Sequence, residues 1–342
     1  MPDFPYINAR VRAMRSRLFT SGQVEELLAL PSIDALIQAL SNSPYGGELQ
    51  EALTRHPGLQ AVDEALAHNF YRTTTKILGF AEGKARALIE TILMRWDRAN
   101  LLLILRGKHT RRSEDAILAS LFPAGRLGEV ALREMVAQPD VAGVLGALGG
   151  LGHPFAPAVA AGLAAYQKTQ DLFELELHVD RAYATLGLQV AKGGGYNEQV
   201  VREFLQLELD ATNVKTALKL RSAGGLSRKA LARFFIPGGR VVSEELFLKL
   251  VDPETVEQGI MGLRVRGFPI KGIEDLTVFE RELDLTLLQA QTARYLEDPL
   301  SIDIVIAYVA MKYREIANLR LIARSKTLGI PRDRVREELV GV

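Results

Sequence analysis

Three acid–amide pairs lead the residues whose types and spacing suit chemistry: Asp97/Asn100, Asp210/Asn213 and Glu315/Asn318. A spacing of three puts both side chains of a pair on one helix face. A carboxylate-based hydrolase would carry its acid at Asp97, Asp210 or Glu315. The same placement also serves a buried polar clamp between neighbouring helices, since unpaired buried polar groups are costly. The clamp is the role expected here, with Asn213→Leu lowering thermal stability without selectively abolishing partner binding. Trp96 and the aliphatic Leu101, Val214 and Leu319 beside these pairs read as core.

Other chemistries find little support. The chain has no cysteine, which excludes disulfides, thiolate zinc sites, cysteine-ligated iron–sulfur clusters and cysteine nucleophiles and fits a reducing compartment. His56, His68, His109, His153 and His178 form neither H-x-x-x-H nor Glu-x-x-His, so no helix-borne metal site is expected. His68 and His178 follow the acids Asp63 and Glu174 and read as surface or capping groups. Residues 79–85 glance at a phosphate-binding loop, but the gap is one residue short and Ala85 lacks the hydroxyl for magnesium. They read instead as a helix start after a glycine-containing turn. Residues 143–152 hold five glycines without G-x-G-x-x-G, and Gly193–Gly195 reads as a helix end and the following turn. No G-x-S-x-G elbow supports a serine triad. Neither a cofactor nor a metal is expected.

The elements that must position these residues are helices. Segments 24–40, 59–77, 84–107, 155–191, 197–222, 274–296 and 300–327 place apolar residues at three- and four-residue intervals. Arg240–Ser243 is the nearest approach to a strand and is too short for a sheet. Breakers fall between the blocks, at Pro44–Gly47, Gly149–Pro157, Gly193–Gly195, Pro237–Gly239 and Gly267–Pro269. An all-α protein is expected. Its 342 residues suffice for a real core, and 48% apolar with 24% charged residues is the balance of a soluble globular chain. Four arginines (Arg10, Arg12, Arg15, Arg17) lie in 1–18 with no apolar segment after them, so no signal peptide is expected. The candidates for a membrane span, Val141–Gly152 and Ile302–Met311, are too short and read as buried helix or loop. A net charge of +1 argues against a nucleic-acid partner.

The acid–asparagine segment recurs as a repeat. Each copy has an aliphatic residue after the asparagine and a base six residues beyond it, at Arg106, Lys219 and Arg324. The asparagines are 113 and 105 residues apart. Upstream, Asp63, Glu174 and Glu280 each follow an apolar residue and precede a leucine by three, at 37, 39 and 38 residues before the asparagine. Each block is preceded by a short helix ending in a turn: Leu40 before Tyr45, Leu148 before His153 and Leu263 before Phe268. Two signals in the same order three times predict three helical units of roughly 110 residues. They are placed at 1–112, 113–225 and 226–342, in an arrangement with approximate threefold symmetry.

Residues 84–112 hold eight basic groups against Glu90 and Asp97. A solvated helix face with a basic last turn explains them. The alternative is a patch for an acidic partner made by Arg95, Arg98, Arg106, Lys108, Arg111 and Arg112.

Several segments resemble the C subunit of the bacterial and archaeal V/A-type rotary ATPases, the counterpart of the d subunit of the eukaryotic V-ATPase. These are the opening Tyr6–Arg12, Tyr45–Leu49, Asp298–Leu300 with Ala307–Val309, and Glu315–Arg324 with Gly329–Pro331. The resemblance spans nearly the whole chain, with no matching motif through 110–170. It implies a noncatalytic, all-helical rotor subunit of three similar subdomains around a pseudo-threefold axis, shaped like a funnel. One copy per complex would sit at the cytoplasmic side of the membrane, peripheral, on the proteolipid ring, and receive the tip of the central shaft formed by the D and F subunits. Its task would be to carry torque between ion translocation and ATP synthesis or hydrolysis. The resemblance assigns no individual contact residue. Without it, the helical pattern fits a generic scaffold for soluble protein partners.

Overall fold

The computed structural model describes residues 4–268 and 275–341. Helices make up its regular structure, and no strand occurs among the described residues. The chain divides into two compact units, Met1–His153 with Arg294–Val342, and Pro154–Ala293. These boundaries differ in kind from a division by repeat.

The first unit opens with α1 (Phe4–Arg15), α2 (Ser21–Ala29), α3 (Ile33–Ser41), α4 (Gly46–Leu53), α5 (Gly58–Leu78) and α6 (Gly83–His109). It continues through α7 (Glu114–Leu118), α8 (Glu129–Val136) and α9 (Val141–Gly150). The second unit holds α10 (Ala156–Thr169), α11 (Leu172–Val190), α12 (Tyr196–Ala223), α13 (Arg228–Ala232), α14 (Glu244–Val251), α15 (Val256–Val265) and α16 (Leu276–Ala293). The chain then returns to the first unit with the 3₁₀ turn Arg294–Leu296, α17 (Asp303–Leu328) and α18 (Arg332–Glu338).

Local chemistry sets the helix ends. Thr20 starts α2 with a capping box: its hydroxyl accepts from Gln23 N–H, and its own N–H donates to Gln23 Oε1 at 2.9 Å. Ser32, Ser113, Asp140, Ser227 and Ser243 accept orphan N–H groups at the starts of α3, α7, α9, α13 and α14. Two periodic segments are each split in two. The segment 24–40 breaks at Pro31, which has no N–H to continue α2. The segment 155–191 breaks where Gln170 turns left-handed (φ 56°) and Asp171 caps α11. Residues 79–85 form the entry to α6, with Gly83 at φ 51°, and 143–152 lie mostly within α9. Pro269 and residue 274, each part of an expected feature, lie outside the described residues.

In the first unit, Phe70 meets Trp96 edge-on at 5.3 Å and Phe122 lies 5.1 Å from Tyr313, joining α5, α6 and α17. Every residue from Ser301 to Ala310 is buried, so the apolar run 302–311 is core that needs no membrane. No helix among the described residues is long and apolar enough to cross one. In the second unit, Val214 and Leu218 of α12 pack with Phe247 and Leu250 of α14, Leu263 of α15 and Leu283 of α16.

Candidate functional site

The three asparagines make one and the same contact. Asn100 Nδ2 donates to Phe122 O while Phe122 N donates back to Asn100 Oδ1, both at 2.9 Å. Asn213 does this with Ile236 at 2.8 and 2.9 Å. Asn318 does it with Val340, at 3.0 Å in both directions. A side-chain amide mimics a backbone peptide, satisfying one N–H and one C=O of an irregular segment. The partners stand 22, 23 and 22 residues downstream. The expected clamp between neighbouring helices is therefore corrected: each asparagine grips irregular backbone just beyond the short helix that follows its own, α7, α13 or α18. Loops need such partners because they have no ladder of their own.

The paired acids hold the next stretch of backbone. Asp97 accepts Arg126 N–H and Leu127 N–H, both at 2.9 Å. Asp210 accepts Arg240, Val241 and Val242 N–H at 2.8–3.0 Å. Each set of donors ends two residues before a helix, α8 in one case and α14 in the other. Glu315 performs the same task with a segment from the far end of the chain. It accepts Phe19 N–H, two residues before α2, together with Tyr45 Oη and Lys312 Nζ.

Close approach explains the choice of acid. A Cβ on Gly125 would lie 2.3 Å from the Asp97 carboxylate oxygens, and one on Gly239 2.0 Å from Asp210 Oδ1. These glycines immediately precede the first donors, Arg126 and Arg240. In the third clamp the residue before Phe19 is Leu18, and the acid is the longer glutamate. The glycines and Phe19 were not among the expected site residues. Their sequence signal is a glycine 28 or 29 residues beyond the aspartate.

Such carboxylates have little capacity left for catalysis. Asp97 and Asp210 are each 1% exposed. Burial pushes Asp210 above the usual carboxylate range, and the N–H groups of Val242, Val241 and Arg240 pull against it. His153 is buried, with Nε2 3.5 Å from Asp97 Oδ2. His68 Nδ1 meets Glu129 Oε2 at 2.8 Å. A cavity of about 140 Å³ in the first unit is lined by His56, Asp63, Glu64, Asp115, Glu129 and Arg133 among others, with no hydroxyl nucleophile. Glu64 there is shared by Arg55, His56 and Arg133. No group of three His, Asp or Glu suited to a metal ion occurs among the described residues.

Two of the three upstream acids meet a repeated base, each the base of another copy. Asp63 lies 3.6 Å from Arg324 and from Arg320, while Glu280 pairs with Lys219 at 2.7 Å. Glu174 takes Arg233 at 2.6 Å. Burial raises Asp63 and lowers Arg320 to about 10, each partly offset by the other's charge.

In the basic cluster, Arg95, Arg98 and Arg106 lie along one side of α6, since residues eleven apart nearly superpose on a helix and residues three apart are offset by only about 60°. Arg95 stacks 4.9 Å over Trp96, and all three have interaction partners. Lys108 stands 3.7 Å from Glu114 on another side. Arg111, at φ 56°, and Arg112 are exposed in the turn after α6. The six therefore do not form one continuous face.

Comparison with known proteins adds what geometry leaves open. The model of the ATP synthase (C/AC39) subunit family matches residues 7–338. The chain is 36% identical to the C subunit of the V-type ATP synthase of Thermus thermophilus, covering 99% of this chain and 98% of that one. It is 31% identical to the corresponding V-type C subunit of Deinococcus radiodurans, over 99% and 92%. It is 29% identical to the C subunit of the A-type ATP synthase of Haloferax volcanii, over 98% and 97%.

Proposed function

Since the chain belongs to the C/AC39 subunit family of ATP synthases, we propose that it is the socket joining the central shaft to the membrane proteolipid ring. Family membership makes it a structural, noncatalytic subunit of a membrane-associated complex. The finer reading is that the D and F subunits seat in it on one side and the ring on the other. One copy at the cytoplasmic face would then pass torque between ion movement and ATP synthesis or hydrolysis. The three repeated blocks are read as three units of one helical plan.

The observation that carries this reading is the match over nearly the whole chain. The clamps support it physically. A torque-bearing adaptor must keep its shape, and buried carboxylates and amides that fix loop backbone to long helices resist local opening. Chemistry is not required, and the buried acids are engaged by backbone N–H groups.

The test is an affinity pull-down from gently solubilised host membranes, with bound proteins identified by mass spectrometry. Recovery of proteolipid together with the shaft pair is expected. Recovery of soluble proteins alone, under conditions that keep the rotary complex intact, would overturn the reading. If the α6 cations face a partner, reversing Arg95, Arg98 and Arg106 to glutamate weakens assembly more at low salt than at high salt. Unchanged assembly would remove that surface.

A further inference from the structure

A cleft of about 310 Å³ opens where the end of α5, the first turns of α6 and the clamped pair Gly125–Arg126 meet. Ligand clefts begin at about 300 Å³. Two guanidiniums line this one, Arg86 and Arg126, bridged by Glu90. Glu90 Oε1 accepts from Arg86 Nε and Glu90 Oε2 from Arg126 Nη2, both at 2.9 Å. Arg86 Nη1 also donates to Leu78 O at 3.1 Å. These bonds fix both side chains and leave donors over. Among the described residues, Nη2 of Arg86 and Nε and Nη1 of Arg126 meet no protein acceptor. Tyr71 and Thr75 line the same cleft, and neither hydroxyl bonds to the protein.

The side chains left uncommitted are therefore donors. Glu90 is the only acid among the lining residues, and both its oxygens are taken. Asp97, close to Gly125, spends its carboxylate on the N–H groups of Arg126 and Leu127. Two arginines against one glutamate leave a single positive charge at the lining, which a carboxylate balances and a phosphate dianion exceeds. Leu78 and Leu93 add an apolar wall that an inorganic anion would not use. The second repeated block has Glu203 ten residues before its asparagine, as Glu90 is, and Arg240 after its clamped glycine. It has Gln199 in the place of Arg86, so the arginine pair belongs to the first block.

We propose that this cleft binds an organic monocarboxylate. The carboxylate receives the spare N–H groups of Arg86 and Arg126 and the hydroxyls of Tyr71 and Thr75. An aliphatic or aromatic body lies against Leu78 and Leu93. Such a group belongs to a small free acid or to the carboxy-terminal residue of a polypeptide. The site lies within one compact unit, and the proposal does not depend on the socket reading.

Purified full-length chain is titrated with phenylacetate and with its neutral isostere phenylacetamide, and binding is read by saturation-transfer NMR of the ligand. Millimolar or tighter binding of the acid, with the amide about tenfold weaker, is expected. Arg86→Gln and Arg126→Gln should each weaken the acid about tenfold, while Arg334→Gln on α18 should change nothing. Arg126→Gln keeps the backbone N–H that Asp97 accepts, so unchanged melting separates lost binding from lost fold. Tyr71→Phe should weaken binding by a smaller factor. In a second arm N-acetylglycyl-phenylalanine replaces the free acid. Tighter binding of the peptide supports the site with a polypeptide terminus as its occupant, and tighter binding of the acid supports it with a small molecule. No binding of either, equal binding of acid and amide, or unchanged binding by both glutamine variants would overturn the proposal. So would displacement of phenylacetate by an equal concentration of inorganic phosphate. None of these results bears on whether shaft and ring subunits are recovered in a pull-down.

Discussion

Glu315 and Phe19 are 296 residues apart in the chain, yet the carboxylate of one accepts the backbone N–H of the other. Its second oxygen takes the Tyr45 hydroxyl and Lys312 Nζ. Lys312 Nζ also donates to Tyr45 Oη at 2.7 Å and lies 4.1 Å from the Tyr45 ring centre. Desolvation lowers Lys312 below the ordinary lysine range, with Glu315 opposing. The third clamp is thus completed from the beginning of the chain.

Shortening that carboxylate by one methylene should break it. Glu315→Asp is expected to cost about 2–4 kcal/mol, because buried hydrogen bonds to a charge are lost while their donors stay in place. Tyr45→Phe removes one of them and should cost less, about 1–3 kcal/mol. Denaturant unfolding checks both, and equal stability of wild type and Glu315→Asp would show that the contact carries no energy.

Asn213 is fully buried and holds both polar groups of Ile236. Asn213→Leu strands an N–H and a C=O, so a loss of about 2–4 kcal/mol is expected. Binding to partner subunits below the melting temperature should persist. Unchanged melting with lost binding would turn the residue into a contact residue.

Ala in place of Gly125 or Gly239 would set a methyl against a buried carboxylate. Each variant should lose about 1–3 kcal/mol through forced displacement. The protection of the Leu127 or Val242 amide against hydrogen exchange should fall selectively. Protection lost evenly over the whole chain would argue against a local clamp.

The carboxy-terminal helix α18 is tied to α2 by Glu25, which accepts from Arg332 and Arg336. The bond from Arg336 is the largest influence holding Glu25 below its ordinary value of 4.5. A depressed carboxylate contributes stability above 4.5 and loses it as the pH falls through its folded value. Acidification below pH 4.5 should therefore loosen α18, seen as faster proteolysis at the carboxy terminus. Glu25→Gln should show this looseness already at neutral pH; a variant as resistant as wild type would refute the tie.

The helical class was legible because apolar periodicity follows burial directly, as Leu101, Val214 and Leu319 show by being wholly buried. The repeated asparagines were legible because three loops demand one amide geometry. Their partners were not, since Phe122, Ile236 and Val340 contribute only backbone, which leaves no trace in residue type. The acids Asp63 and Glu280 and the bases Arg324 and Lys219 were each visible as separate signals. Only folding puts them in register, across elements far apart in sequence. The helix break at Gln170 escaped because apolar spacing continues through it while one residue turns left-handed.

The division of the chain has a consequence for biosynthesis. Pro154–Ala293 is continuous and has all its helices once it leaves the ribosome, so it can mature while translation proceeds. The other unit is interrupted. Its opening helices emerge first, but Phe19, Asn8 and Tyr45 lack their contacts with 299–315 until that segment has been made. During that interval the sides of α1 and α5 that α17 covers are open to solvent. Nascent chains stalled before α17 should be the form that holding chaperones retain, and release should coincide with completion of the last long helix.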